Sequence, residues 1–580
     1  MAALLRENEV GRSAYITTPF GQRLITYADL TATGRYLAFV ERWIHRVRAF
    51  YANTHTAVSS TGALMTRLRE DARAVIARSV GAGPEDVVLF CGSGATHAVN
   101  KLVGLLGLRI PEPLEREFGL LRHIPLAKRP VVFVGPYEHH SNELPWRESI
   151  ADVVEVGLRP DGHIDLTDLE AKLVMYAARP LRIGAFSAAS NVSGILSDVR
   201  ALARILHRHG ALAVFDYAAA APYVPIDMHP PADADADGDA DADAGGAHID
   251  ALFLSTHKFM AGPQASGVLV AHRDLFRTRR PERPGGGTVD YVSAGGRRVD
   301  YTARLEDREE GGTPAIMGDL RAGAAFLVKE LVGAANICAH EQAIAAEALA
   351  RLARHPRIRL LGSLDQPRLA IISFNVEGLH HDFVSALLDQ LFGIQNRAGC
   401  ACAGPYGHRL LGIDDATSER FRALIARGVI GMKPGWVRLS LPYYGAPEDI
   451  AFILDAVLFV ADHGDAFLPA YCLSWQDGVW RHLAHPAETP PPIVLDAASL
   501  LAEARAMTLP RTDQAGEATD PRTSAELAAE RQGYLAAARE LAAALEARWR
   551  DAPPAWNPPM GDAEVDRLAW FRYVHTTRLQ

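Results

Sequence analysis

The sequence has little of what marks a secreted or membrane-bound protein. Its 580 residues include only five cysteines, too few and too scattered for a disulfide framework, which favours a reducing compartment. No uninterrupted apolar run reaches the length of a membrane span. Four charged residues lie between Arg6 and Arg12, where a signal peptide needs an apolar core. We therefore expect a cytoplasmic protein that does not enter a membrane.

A block of basic residues is also missing. Lysine and arginine total 60 against 69 acidic residues, which gives a formal net charge of -9. This balance offers no patch for a phosphate backbone, so nucleic acid is not an expected partner. Hydrophobic residues make up 48% of the chain, and a chain of this length can form two or three domains with full cores.

The rest of the chain is organised around a short apolar run that leads to a lysine. Residues 251–254 have the pattern of a buried strand, and Lys258 follows them in a turn. Most strand-end lysines simply reach water. Here, however, a second buried-type strand ends on Asp216, about forty residues upstream. Pyridoxal phosphate needs such a pair, because the lysine forms the Schiff base and the aspartate keeps the pyridine nitrogen protonated.

The segment around this lysine resembles that of a known enzyme family. Ser255-Thr256-His257-Lys258 is similar to the Ser-Gly-His-Lys of class V, fold-type I pyridoxal phosphate enzymes, the cysteine desulfurase and selenocysteine lyase group. The resemblance runs from about residue 27 to about residue 463. It implies an α/β fold with a large domain, built on a mixed, mostly parallel seven-stranded sheet flanked by helices, and a smaller α+β domain. It also implies that Lys258 is catalytic and that Ser255 and His257 bind the cofactor.

A second motif predicts the phosphate site. A strand-like stretch over residues 87–90 runs into a turn of small residues and then into a helix. The first backbone N–H groups of a helix are unpaired and bind anions. The turn resembles the family's Gly-Ala-Thr-Glu segment, which assigns Gly94, Ala95 and Thr96 to the phosphate. His97 stands where the family has glutamate.

Two further motifs concern the cofactor ring. Glu138-His139-His140-Ser141 resembles the family's Glu-His-His-Ala, which implies that His139 stacks on the pyridine ring and takes part in proton transfer. Adjacent histidines on an extended segment diverge and no third ligand is evident, so we assign no metal site. Asn191 lies in a turn similar to the family's Ser-Asn-Val-x-Gly, which implies contacts with the substrate carboxylate and the ring oxygen.

One departure from the family follows Asp216. The family reads Gly-Ala-Gln there, and its glutamine bonds the ring hydroxyl. This chain has Tyr217-Ala218-Ala219 instead. The resemblance therefore implies that the cofactor binds, and it leaves the electronic tuning of the ring open.

The resemblance also implies a second subunit. Residues 308–314 are similar to the family's Arg-Phe-Glu-Ala-Gly-Thr-Pro, whose threonine reaches the phosphate of the neighbouring subunit. Thr313 is that threonine in this chain. We therefore expect a homodimer with a shared active site.

Substrate-binding residues are expected in the last third of the matched region. Arg438 matches the family arginine that clamps the substrate carboxylate through two parallel hydrogen bonds, although many strand arginines make only salt bridges. Residues 397–405 resemble Arg-x-Gly-x-x-Cys-Ala, which aligns Cys402 with the sulfur-accepting cysteine and adds Arg397 to the substrate site. Cys400 replaces a residue that is not usually cysteine. Buried, inert thiols are the alternative interpretation, and the second pair that a zinc site needs is missing.

These motifs predict how the chain is divided. We expect an N-terminal arm and part of the small domain over 1–55, a large cofactor-binding domain over 56–325, a small domain over 326–464 and an extension of unknown role over 465–580. Aspartates at alternate positions make 230–247 an acidic insertion. It lacks the glycine and closing glutamate of an EF-hand, so its composition favours a disordered, solvated loop.

The extension carries one clear helix signal. Thr523 and Glu526 offer a capping box for a helix that runs to Arg550. The apolar side chains of this helix form a single stripe. Its members are Leu527, Tyr534, Leu541, Leu545 and Trp549. We expect the stripe to pack on the enzyme body, and a partner-binding helix is the alternative.

The motifs predict an enzyme that removes sulfur from L-cysteine, or selenium from L-selenocysteine, and leaves alanine and a persulfide on Cys402. A sulfur-acceptor protein would then be a partner. One alternative is another class V activity, a C–S lyase, an epimerase or a kynureninase-like hydrolase, in which the cysteines are incidental. The other is a cofactor-binding scaffold that recruits a partner through the extension, although intact Lys258 and Asp216 argue against it.

Overall fold

The N-terminal residues form an arm of short elements. The structure is a computed structural model, and it describes residues 1–231, 246–484, 493, 495–508 and 522–577. The acidic insertion predicted over 230–247 therefore lies almost entirely outside the described residues. The elements of the arm are α1 (Ala2–Asn8), β1 (Tyr15–Thr18), β2 (Gly21–Leu24), β3 (Thr26–Tyr27) and α2 (Ala38–Arg48).

Residues 60–332 carry the larger sheet and its helices. The strands are β4 (Asp86–Phe90), β5 (Val131–Val134), β6 (Asp152–Glu155), β7 (Arg182–Ser187), β8 (Leu212–Asp216), β9 (Ala251–Leu254), β10 (Val268–His272), β11 (Val289–Val292) and β12 (Val299–Tyr301). The helices are α3 (Ser60–Ser79), α4 (Ala95–Leu105), α5 (Glu112–Phe118), α6 (Leu144–Arg147), α7 (Leu166–Met175), α8 (Val199–Arg208), α9 (Leu305–Glu309) and α10 (Ile316–Val332).

Seven of these strands form one sheet in the order β4-β10-β9-β8-β7-β5-β6. Neighbours from β9 to β6 are parallel, whereas β10 runs antiparallel to both β4 and β9. Side chains alternate along each strand, so Val131 and Phe133 join the core on one face while Val132 and Val134 join the core on the other. Burial on both faces explains the continuous apolar runs in the sequence. The mixed, mostly parallel seven-stranded sheet is confirmed.

A smaller sheet follows. Its part of the chain contains β13 (Ile358–Leu360), β14 (Ile371–Val376), β15 (Ile394–Gln395), β16 (Arg397–Gly399), β17 (Trp436–Ser440), α11 (Ala334–Leu352), α12 (His381–Phe392), α13 (Gly404–Leu411), α14 (Asp415–Ala426) and α15 (Pro447–His463). Four strands pair in the order β13-β14-β17-β16, and β15 pairs with β3 of the arm. The predicted boundary at residue 326 falls inside α10, and Gly333, at a φ of 88°, separates α10 from α11. The division into domains stays a prediction.

The C-terminal extension packs on this smaller sheet and its helices. Its elements are β18 (Tyr471–Leu473), β19 (Trp480–His482), α16 (Ala497–Thr508), α17 (Ser524–Asp551), α18 (Ala563–Leu568) and β20 (His575–Thr576). The capping box of α17 is present as predicted. Leu535, Ala538 and Ala542 join the core that also contains residues of α12 and α15. Four members of the predicted stripe pack against the same core. They are Tyr534, Leu541, Leu545 and Trp549.

Helix α17 also holds the N-terminal arm. The Tyr534 hydroxyl accepts a hydrogen bond from the backbone N–H of Leu24 at 3.1 Å. Arg531, which is buried, donates to Thr26 Oγ1 at 3.0 Å and to Asp449 Oδ1 at 2.5 Å. Arm, extension and α15 therefore form one packed unit.

Among the described residues no single helix is long and apolar enough to cross a membrane. The consecutive helices α10 and α11 would satisfy the length and composition together, but they meet at a bend of 74°.

We predict that Leu535→Ala destabilises the whole enzyme and not only its C-terminal end. Leu535 is 1% exposed in the shared core, and a buried leucine-to-alanine change costs about 2–5 kcal/mol of unfolding free energy. The expected result is a lower melting temperature for the transition that unfolds both sheets, followed by circular dichroism. Gln532→Ala, on the exposed side of α17, is the control. An unchanged melting temperature for Leu535→Ala would show that the extension adds nothing to the stability of the body.

Candidate active site

The carboxyl ends of β7, β8 and β9 open into a cavity of about 270 Å³. Parallel strands bring the residues at their carboxyl ends to one edge of the sheet, where α/β proteins bind their ligands. All but two of the predicted site residues line this cavity. They are Ala95, Thr96, His139, Asn191, Asp216, Ser255, His257, Lys258, Arg397, Cys402 and Arg438. The structure thus brings together residues that are up to 343 positions apart, Ala95 and Arg438.

Lys258 lies in a 3-10 turn directly after β9. Burial lowers the pKa of its ammonium group to about 8, although the nearby carboxylate of Asp216 opposes this shift. The neutral form of the amine is therefore far more populated near physiological pH than in an ordinary lysine. This neutral form is a nucleophile towards a carbonyl group.

Asp216, the last residue of β8, faces the same cavity. Burial raises the pKa of its carboxyl group, while a hydrogen bond from the backbone N–H of Ala218 (2.8 Å) and the charge of Lys258 lower it. A buried carboxylate is costly unless a cation lies beside it. The site thus favours a ligand that brings positive charge to Asp216.

The start of α4 forms the predicted phosphate turn. Gly94 precedes the first turn of the helix, and the Ala95 N–H donates to Ser255 Oγ at 3.0 Å. Thr96 Oγ1 lies 2.7 Å from Ser141 Oγ. Gly267, which sequence reasoning did not assign to the site, is required here because a Cβ at that position would lie 2.4 Å from the backbone nitrogen of Gly94. These hydroxyls and N–H groups are donors for an anion.

His139 is held as a neutral ring. Burial, and then the positive charge of Lys258, lowers the pKa of His139 to about 3. Its Nδ1 accepts a hydrogen bond from the backbone N–H of Ser141 at 3.1 Å, so the ring proton is on Nε2. Burial likewise lowers the pKa of His257 to about 4. Neutral rings suit the stacking role expected of His139, because they add no charge beside Lys258.

Glu138 is a supporting residue that sequence reasoning missed. It is fully buried and accepts hydrogen bonds from the backbone N–H of Ser187 (2.9 Å), from Ser187 Oγ (2.6 Å) and from Asn142 Nδ2 (2.7 Å). Burial raises the pKa of Glu138 to about 7. These bonds fix the segment that carries His139 to the end of β7. The signal in the sequence was the acid at the start of the Glu-His-His motif.

Asp29 is the second missed residue. Arg397 and Arg438 are cross-strand neighbours on β16 and β17, and each forms an ion pair with Asp29 at 3.0 Å. Arg438 is buried and also donates to the carbonyl of Asn191 at 3.1 Å. The salt-bridge interpretation of Arg438 is therefore correct in part. The two guanidinium groups outnumber the one carboxylate, which leaves positive charge for a second carboxylate.

Cys402 lines the cavity from a tight turn and is exposed, whereas Cys400 is half-buried. The turn is fixed to the His139 segment, because the backbone N–H of His140 donates to the Cys402 carbonyl at 2.9 Å. The thiol of Cys402 therefore borders the same space as Lys258 and Asp216. The inert-thiol interpretation does not fit an exposed cysteine.

Thr313 lies outside this cavity. It is exposed and accepts a hydrogen bond from Asn53 Nδ2 at 3.3 Å. Its predicted role involves the phosphate of a neighbouring subunit, and that role stays a prediction.

The donor set fits pyridoxal phosphate. The cavity offers anion donors at the start of α4, a buried carboxylate at Asp216 and, at Lys258, an amine with a lowered pKa. Two buried polar atoms at the cavity, Asn191 Oδ1 and Arg438 Nε, have no hydrogen-bond partner among the described residues. Buried polar groups are nearly always paired, so both atoms point to a polar ligand.

Comparison with known proteins identifies relatives for most of the chain. The family "Aminotransferase class-V" matches residues 26–452. A probable cysteine desulfurase of Halalkalibacterium halodurans is 31% identical over 387 residues, which cover 66% of this chain and 84% of that protein. The apo structure of a cysteine desulfurase from Thermococcus onnurineus NA1 is 26% identical, with a TM-score of 0.60, and covers 76% of this chain and 95% of that one.

A second solved structure agrees in fold. The cysteine desulfurase CsdA of Escherichia coli, in its S-sulfonic acid form, has a TM-score of 0.58 at 22% identity and covers 80% of this chain and 98% of that one. The match to the family ends inside α15, so the extension that follows α15 lies outside it.

We predict that pyridoxal phosphate loads onto cofactor-free protein faster as the pH rises through about 8, the pKa of Lys258. Only the neutral amine adds to an aldehyde, so the rate should level off above about pH 8, whereas a lysine at its ordinary pKa of 10.5 would keep gaining rate without a midpoint in that range. Stopped-flow recording of the visible absorbance measures the rate at each pH. The Lys258→Ala variant should give no bound yellow cofactor. A midpoint near the ordinary lysine value would show that Lys258 is not desolvated in solution.

Proposed function

This chain belongs to the class V aminotransferase family, and from that premise we propose that it is a pyridoxal 5'-phosphate-dependent cysteine desulfurase. It would remove sulfur from L-cysteine, or selenium from L-selenocysteine, and release alanine. The observation that carries the proposal is the exposed Cys402 on the wall of the cavity that also contains Lys258 and Asp216. A desulfurase needs a nucleophilic sulfur within reach of the substrate's sulfur, and the other class V activities do not.

The cofactor would be held at four points. The helix start at Gly94 to Thr96, with Ser255 and His257, would bind the phosphate, and the Lys258 amine would hold the aldehyde carbon. Asp216 would pair with the ring nitrogen, and the neutral His139 ring would lie against the ring face. When bound, the cofactor supplies an electron sink for the bonding pair at the substrate's Cα.

The substrate carboxylate would bind at Arg438 and Arg397. Both guanidinium groups already share Asp29, so a substrate carboxylate would neutralise the remaining positive charge without moving the arginines. Asn191, whose Oδ1 has no partner among the described residues and whose carbonyl accepts a hydrogen bond from Arg438, would contact the substrate beside that arginine.

Proton and sulfur transfer would fall to two different side chains. Lys258 has a pKa close to physiological pH, so it can both take up and return the Cα proton. His139, held neutral with its proton on Nε2, can donate a hydrogen bond during the same step. The Cys402 thiolate would attack the substrate sulfur, which leaves a persulfide on Cys402 and alanine in the cavity.

An acceptor of this sulfur would complete the cycle. Cys402 is exposed, which supports delivery to an external thiol or to a sulfur-acceptor protein. The scarcity of cysteine supports a reducing, cytoplasmic location, where the thiol stays available. A C–S lyase, an epimerase or a hydrolase would use Lys258 alone, and a scaffold would need no turnover.

We also propose that the enzyme is a homodimer with a shared site. Thr313 is exposed within one chain, which suits a residue that completes the phosphate site of its partner. An apolar groove of about 360 Å³ between α2, α3 and α10, with Phe39, Trp43 and Leu327 on its walls, offers further surface for an interface.

We predict that Cys402→Ala loses cysteine-dependent alanine formation by about a thousandfold or more, the scale of removing a covalent nucleophile. The Cys400→Ala variant should still form a persulfide. Purified proteins are assayed for alanine, and the tryptic peptide that spans both positions is weighed. Cys338→Ala, in α11, is the matched control. If Cys402→Ala keeps full turnover, a lyase, an epimerase or a hydrolase acting through Lys258 becomes the better assignment.

Mixing two inactive variants tests the shared site. Thr313→Ala and Lys258→Ala should each be impaired as homodimers. In the mixed dimer one site combines the intact Lys258 with the partner subunit's Thr313, so activity should return after the subunits are exchanged. Cofactor absorbance per dimer gives an independent count of intact sites. No recovery, in a mixture shown by mass spectrometry to contain mixed dimers, would place Thr313 outside the shared site.

A further inference from the structure

Cys400 and Cys402 occupy the first and third positions of one tight turn. The turn is closed by a hydrogen bond from the Ala403 N–H to the Cys400 carbonyl at 3.1 Å. Its two central residues, Ala401 and Cys402, have φ angles of 46° and 55°. Left-handed values at both central positions define a type I′ turn, which glycine and asparagine normally supply. This chain places an alanine and the predicted nucleophile there instead.

The active site, and not local preference, holds this turn. Left-handed backbone is uncommon for residues other than glycine. Three hydrogen bonds stabilise it here: His140 N–H to the Cys402 carbonyl (2.9 Å), Gly404 N–H to His140 Nε2 (3.2 Å) and Asn191 Nδ2 to the Ala401 carbonyl (2.8 Å). Each connects the turn to a segment that lines the cavity. The surrounding structure therefore maintains a conformation that the sequence alone disfavours.

The turn keeps the backbones of the two cysteines within the separation that a disulfide spans. Even a fully extended chain separates residues two apart by no more than about 7 Å between Cα atoms, and a closed turn shortens that distance. Disulfides form at Cα separations of about 4.4–6.8 Å. Cys400 packs against the core beneath the turn, while Cys402 is exposed at the cavity. The remaining cysteines lie on other elements, Cys91 after β4, Cys338 in α11 and Cys472 in β18.

We propose that Cys400 is a resolving thiol that discharges the persulfide of Cys402. This inference rests on the proposed desulfurase function. The Cys400 thiolate attacks Sγ of Cys402, forms a disulfide between the two and breaks the bond to the outer sulfur. The electron pair of that bond leaves with the outer sulfur as hydrosulfide, which takes up the proton that Cys400 gave up. The sulfane sulfur is reduced, the two thiols are oxidised, and no outside oxidant is required.

After this step the disulfide must be reduced before the enzyme can turn over again. A disulfide that spans one residue within a turn is exposed and constrained, and such disulfides are readily reduced by thiols. A small-molecule or protein thiol would return both cysteines to the reduced state. Without such a thiol the enzyme would release sulfide once and then stop with the disulfide formed. An external persulfide acceptor would have to react before Cys400 does.

Single-turnover mass spectrometry tests the proposal. Cofactor-loaded enzyme is mixed with L-cysteine under anaerobic conditions without added thiol, and alanine, sulfide and the tryptic peptide of residues 398–409 are measured. The wild-type enzyme should release alanine and sulfide in equal amounts, and its peptide should lose two hydrogens. Cys400→Ser should release alanine with little sulfide, and its peptide should gain one sulfur. Cys338→Ala should behave as wild type, and enzyme without cysteine should stay reduced.

The outcomes separate this proposal from the proposed function. Alanine release by the wild type together with a lasting persulfide on Cys402, or a persulfide moved to Cys400 without a disulfide, would overturn the resolving role alone. Absence of alanine would overturn the desulfurase function. In that case glutathione persulfide loads Cys402 directly, and disulfide formation with sulfide release in the wild type, lost in Cys400→Ser, would still support the resolving role.

Discussion

The desolvation of two opposite charges at the end of one sheet is the constraint on which the site depends. Asp216 is the last residue of β8, and Lys258 lies in the turn after β9. The side chains of both strands are buried on both faces of the sheet. Desolvation disfavours the charged form of each side chain, so it raises the pKa of Asp216 and lowers the pKa of Lys258. The charge of each side chain partly offsets the pKa shift of the other. A buried pair of this kind stabilises a fold poorly. The pair instead suits chemistry that needs a readily deprotonated amine opposite an acid.

A second charged cluster connects this edge to the rest of the molecule. Asp29 joins Arg397 and Arg438 of the smaller sheet to the N-terminal arm. It lies two residues after β3, whose Thr26 accepts a hydrogen bond from Arg531 of α17. The extension, which lies beyond the family match, therefore supports the strand that leads into the substrate site. Its contribution is structural at this point, because α17 contacts the arm and not the cavity.

The fold and most of the cavity could be predicted because the motifs that carry the family resemblance are local. The strand that ends on Asp216 and the strand that precedes Lys258 are parallel neighbours, and strands of this kind end at one edge of a sheet. Asp29 could not be predicted, since its partner Arg438 lies 409 residues away and no local pattern pairs them. Gly267 was missed for the same reason. Only glycine fits at this position because its Cα lies against the backbone of Gly94, which is far away in the sequence. The left-handed turn at Cys402 could not be predicted either, since contacts with His140 and Asn191 determine it.

In the proposed mechanism, the different exposure of Lys258 and Cys402 would let one cavity serve two steps. Proton transfer by Lys258 would benefit from desolvation, which brings the pKa of its amine towards the pH of the medium. Sulfur transfer would need the opposite, since the sulfur would have to leave the protein. Cys402 is exposed on the turn between β16 and α13, so its sulfur can reach an acceptor without opening the sheet edge around Lys258. A class V enzyme that only cleaves or epimerises its substrate has no need for a thiol at this boundary between the cavity and solvent.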